Sequence, residues 1–118
     1  MGLTNSELVD VVLAARDRVA QGWTQGTEAR TAEGNITCPG GADAASWCMA
    51  GAVMAVGCPW MVVQRAFDRS GILNAGLAFR LSMVGFNDSG DGSQAKAVGA
   101  FDELARWLKD TGWAPDES

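Results

Sequence analysis

The residue with the most chemical promise is Cys48, in the apolar stretch "AASWCMAGAVMAVGC" at 44–58. A nucleophilic thiol needs a base or a cation to hold it as thiolate, and histidine is the usual one. The chain has no histidine, and no lysine or arginine lies near Cys48 in sequence. The expectation is therefore a small packing residue inside a buried helix. Cys38, Cys48 and Cys58 form no C-x-x-C pair and cannot complete a zinc site without histidine. The segment "NDSGDG" resembles the start of a calcium loop, with Asn87, Ser89 and Asp91 at the alternate positions and Gly92 at the turn. The closing glutamate is missing, because Val98 stands there. Carboxylate catalysis requires two acids held together with their pKa values pushed apart. Glu28, Glu33, Asp68, Asp88 and Asp91 are scattered through loops and surfaces, and nothing selects a pair. No cofactor or metal is expected, and an enzyme is the less favoured reading.

The elements that must position these residues begin with a capping box, Thr4 followed by Glu7, which opens a helix. Leu8, Val12, Ala15 and Val19 draw one apolar stripe along it, and Gly22 is read as a left-handed stop. Residues 24–41 form a long loop that could hold one short hairpin turning at Glu33-Gly34-Asn35. Asp43 reads as the cap of a second helix reaching about Val56, apolar on every face and so the centre of the fold. A third helix starts at Pro59 and stops at Gly71, and "ILNAGLAFRLSMVG" reads as a fourth. A glycine-rich loop, "GFNDSGDG", precedes a last helix capped by Ser93, carrying Ala97, Phe101, Leu104 and Leu108, and ending at Gly112. The fold class expected is all-α: one domain over 1–118, a compact orthogonal bundle of about five helices around a buried central one, with a polar tail at 114–118.

Composition narrows the function classes. Nine basic residues against fourteen acidic give a net charge of −5, which disfavours nucleic acid and anionic lipid as partners. No apolar run reaches the roughly 20 residues of a membrane helix, and "MGLTNSELVD" lacks the features of an export signal, so the expected site of action is the cytoplasm. Five tryptophans and no tyrosine are unusual for this length. Trp47 and Trp60 read as core, while Trp23 and Trp113 follow helix-ending glycines and close the ends of the bundle.

Three motifs in order, "GWTQG" at 22–26, "WCMAGA" at 47–52 and "FND" at 86–88, resemble a small family of unknown function from actinobacteria and their phages. Its pattern runs G-W-x-Q-G, W-C-x-x-G-A and W-N-D before a final helix, and the similarity spans about Gly22 to Leu108. Phe86 replaces the family's tryptophan, and the segment after Asp88 is richer in glycine. The resemblance implies that Trp23, Gln25, Cys48, Gly51, Asn87 and Asp88 gather into one cluster, and it implies no activity. Trp23, Gln25, Asn87 and Asp88 are accordingly the candidate binding residues. The expected function is noncatalytic binding of an unidentified host or phage protein, in the host cytoplasm if the chain is phage-encoded, with homo-oligomerisation left open. The alternatives are a small enzyme with a polar cleft at Gln25, Asn87 and Asp88, and a minor virion component.

Overall fold

The computed structural model describes residues 3–74, 82–90 and 92–115. Helix α1, Asn5–Gln21, opens on the capping box: Glu7 N–H donates to Thr4 Oγ1 at 3.1 Å and Thr4 N–H to Glu7 Oε1 at 2.9 Å. The last helix, Gln94–Thr111, lies antiparallel against it, although three further helices intervene in the chain. It is α5 in chain order. Their apolar stripes, Leu8, Val12, Ala15 and Val19 on one and Ala97, Phe101, Leu104 and Leu108 on the other, are all buried. Side chains at each end then fix the register. Asn5 Nδ2 donates to the carbonyls of Leu108 and Trp113, both at 2.8 Å, and Gln94 Nε2 donates to Val19 O at 2.8 Å and Ala20 O at 3.2 Å. The Gln94 bonds satisfy carbonyls that the end of α1 leaves without helical partners.

Between these two helices the chain is not all-α, and the expected fold class is corrected. Strand β1, Ala29–Thr31, pairs antiparallel with β2, Ala44–Trp47, in the register Ala29 to Trp47 and Arg30 to Ser46, with an irregularity before Thr31. On the other side of β2, Trp47 N–H donates to Gly22 O at 2.9 Å and Thr24 N–H to Trp47 O at 3.2 Å. The architecture is mainly helical, five α-helices among the described residues, with a two-stranded sheet.

Residues 44–47 were expected to begin the central helix. They are strand because partners on both flanks take their backbone groups, and α2 is only Met49–Ala55. Its first five residues are all buried. Gly22 is extended at φ −168°, not left-handed, and its requirement for glycine is a close approach: a Cβ there would overlap the Ala45 carbonyl.

Helix α3, Trp60–Ser70, ends at Gly71 in the left-handed conformation that the sequence signalled, and Gly112 ends α5 in the same way. Ile72–Asn74 is a short 3-10 turn, and half of the fourth expected helix, residues 75–81, lies outside the described residues. Helix α4, Met83–Asp88, runs through "GFND", which was expected to be loop. Ala114 and Pro115 are buried, so the chain stays packed into the segment expected to be a polar tail. No helix among the described residues is long and apolar enough to cross a membrane.

Candidate functional site

Asn87 is 1 % exposed, a polar side chain in the interior at the end of α4. Ser82 Oγ caps that helix by accepting from Gly85 N–H at 3.0 Å, and Gln64 Oε1 on α3 accepts from Met83 N–H at 2.7 Å. Met83 is fully buried, and Asn87, four residues on, shares its face. Burial of an amide is costly unless its hydrogen bonds are made. Here all four are. Asn87 Oδ1 accepts from the Trp23 indole N–H at 2.9 Å and from Met49 N–H at 3.0 Å; Asn87 Nδ2 donates to Thr24 O at 3.0 Å and Asp88 Oδ1 at 2.9 Å. Two N–H donors on one side and two oxygens on the other fix the orientation of the amide.

The neighbours repeat this pattern. Gln25 Nε2 donates to Asn87 O at 2.9 Å and Ser89 O at 3.1 Å, closing carbonyls at the end of α4. Asp88 Oδ1 also accepts from Gly26 N–H at 3.1 Å. The 23–26 loop and the 87–89 segment are thus bonded in both directions. The sequence reading missed two members of the assembly, Thr24 and Arg30. Arg30 Nε donates to Thr24 Oγ1 at 2.9 Å and its Nη1 to Gly34 O at 3.1 Å, spanning the loop from inside. Arg30 is the one cation in residues 24–41, and that was the available signal.

Cys48 lies at the junction, and its role differs from the expected one. It is the N-cap of α2, with its Sγ accepting from Gly51 N–H at 3.3 Å. Its own N–H donates to Glu28 O at 3.1 Å, and that carbonyl lies so close to α2 that a Cβ on Gly51 would overlap it. Burial pushes the thiol above its ordinary pKa, outweighing the downward pull of the Gly51 and Ala50 N–H groups, and the Asp88 and Glu28 carboxylates add to the rise. Cys48 is therefore a neutral thiol near pH 7. Trp23, Gln25, Cys48, Gly51, Asn87 and Asp88 meet in one place, where α4, the 23–26 loop and the start of α2 are bound together.

The other candidates are elsewhere. Asp68 accepts from Gln64 Nε2 at 2.9 Å on α3, Glu33 is exposed at a turn, and Asp91 lies outside the described residues. Asn87, the first residue of the segment that resembles a calcium loop, is buried with its oxygen already taken by two donors. Among the described residues no three His, Cys, Asp or Glu side chains are grouped to hold a metal. Of the tryptophans, Trp47 is buried and carries the Arg18 guanidinium over its ring at 5.2 Å, whereas Trp60 is only partly buried. Trp107 and Trp113 pack together at 5.9 Å between centroids.

One concavity stands apart from the cluster. It is a groove of about 470 Å³ between the start of α1 and the turn joining α2 to α3, lined by Leu3, Glu7, Val11, Cys58, Pro59 and Val62.

No curated protein and no solved structure gives a significant match to this chain. A family model matches residues 4–107, nearly the whole of the described fold including every residue of the Asn87 cluster. The chain belongs to DUF6197, a family of unknown function.

Proposed function

We propose that the chain is a noncatalytic binding protein whose target is another protein, and that Trp23, Gln25, Asn87 and Asp88 serve it as a latch rather than as a contact surface. One observation carries this reading: the polar atoms of these residues are turned onto the backbone of their own chain and onto each other. An active site holds its polar groups ready for a substrate and leaves the fold to be stabilised elsewhere. This cluster spends its polar groups on closing a loop. The phage or host setting implied by the motif resemblance, and the cytoplasmic location expected from the sequence, belong to the same reading.

Affinity capture with the tagged chain from host lysate, followed by quantitative mass spectrometry, tests it. The expected result is a protein recovered in near-stoichiometric amount by the wild type. Recovery of no protein, together with turnover of a small molecule in the same lysate, would overturn it.

A further inference from the structure

The groove at the start of α1 gives this binding reading a definite surface, and the inference rests on that reading. Its lining is aliphatic, from Leu3, Val11, Pro59 and Val62, with Glu7 as the sole charged side chain among the lining residues. Its volume, about 470 Å³, admits a few apolar side chains. Met61, next to Val62 on α3, is 60 % exposed. Methionine at such a surface adapts to irregular partners. On α1 the Glu7 carboxylate is exposed at the groove, and Asp10, three residues further along the helix, is exposed as well. The nearest cation along α3, Arg65, instead donates to Pro115 O at 3.2 Å. An apolar floor beside carboxylates, in a chain of net charge −5, is complementary to apolar side chains carried next to a cation.

We propose that this groove docks a basic amphipathic helix from a partner protein, with apolar side chains at helical spacing entering between Leu3, Val11 and Val62 and a lysine or arginine placed beside Glu7. Charge complementarity selects this occupant over an acidic peptide.

The test uses three fluorescein-labelled synthetic helices titrated with the full chain: one of leucine and lysine with leucines on one face, its leucine and glutamate counterpart, and a lysine version with serine for leucine. Anisotropy should detect the leucine–lysine helix alone, and amide shifts should move at Leu3–Val11 and Gly57–Val62. Glu7→Gln keeps the capping bond, because glutamine still accepts Thr4 N–H, but removes the charge, and it should weaken binding by about fivefold. Leu3→Lys should abolish binding with the melting transition retained. Equal binding of the leucine–glutamate helix, indifference to Leu3→Lys, or a self-association that Leu3→Lys disrupts would each overturn the proposal. A partner captured from lysate by the wild type and by Leu3→Lys alike would leave the general binding reading standing and remove the groove from it.

Discussion

The Trp23 indole N–H donates to Asn87 Oδ1 at 2.9 Å, joining residues 64 positions apart in the sequence. The same oxygen accepts from Met49 N–H at 3.0 Å, in the first turn of α2. One buried amide therefore holds three segments of chain that local propensity would leave apart.

Asn87→Ala removes four hydrogen bonds and leaves the Trp23 and Met49 donors without acceptors. The expected loss is about 3 kcal/mol, at the upper end of the range for unsatisfied buried groups, and a fall in melting temperature of roughly 10 °C or more. Asn87→Asp, nearly the same shape, should also be strongly destabilising at pH 7, because it turns an oxygen toward Thr24 O and the Asp88 carboxylate. That penalty should shrink as pH falls toward about 4, the ordinary carboxyl range. Thermal unfolding of both variants across pH checks this.

Gln25→Ala should be milder, about 1 kcal/mol, since Gln25 is only partly buried and water can reach the carbonyls it releases. Denaturant midpoints at constant slope would measure it. A stabilised Gln25→Ala would point to a residue held for a ligand.

Glycine replacements should change sign with position. Gly51→Ala and Gly22→Ala each drive a Cβ into a backbone carbonyl, of Glu28 and Ala45, and should destabilise the protein, Gly51→Ala even though alanine favours a helix. Gly99, within α5, has open space where its Cβ would lie. Gly99→Ala should raise stability by about 0.5–1 kcal/mol through the ordinary helix preference. Three melting curves decide the matter.

Cys48 should behave as a cap with an unusually retained proton. Serine is a better helix cap than cysteine, so Cys48→Ser should keep stability near neutral pH, while Cys48→Ala should lose about 1 kcal/mol. The folded thiol has a raised pKa. Its contribution is therefore present below the unfolded value, about 8.5, and is lost as pH rises through the folded value. Between those two values wild-type stability should fall more steeply than that of Cys48→Ser. In the native state a thiol reagent should label exposed Cys38 readily and reach Cys48 only with denaturant.

The helix ends were the most legible part of the sequence. Thr4 with Glu7, Ser93, Gly71 and Gly112 all act through bonds within a few residues of themselves, and such bonds leave a local signature. The strand at 44–47 left none, because "AASW" continues into an apolar run whose small residues suit a helix. Its partners, Gly22–Thr24 and Ala29–Thr31, lie 13 to 25 positions away in the chain. Short helix α4 was hidden for a related reason. Gly85, Asn87 and Asp88 favour turns when read alone, and it is groups from elsewhere in the chain that complete the helix: Trp23 and Gln25 bond Asn87, and Gln64 accepts from Met83 N–H. Cys48 looked like mid-helix packing because the break before Met49 is made by sheet pairing. The motif order brought the cluster's members together in the reading, but motifs carry no hydrogen-bond directions, and Arg30 lay outside all three.

The central claim, that the Trp23–Asn87 pairing is part of what holds the fold closed, is tested most directly by a double-mutant cycle of Trp23→Phe and Asn87→Ala read by reversible chemical unfolding. Trp23→Phe removes the indole donor and keeps an aromatic ring, so the cycle isolates the bond between them. The account predicts a coupling energy of about 1 kcal/mol or more, with each single variant destabilised. Additive effects, with coupling below about 0.3 kcal/mol, or single variants as stable as the wild type, would contradict it.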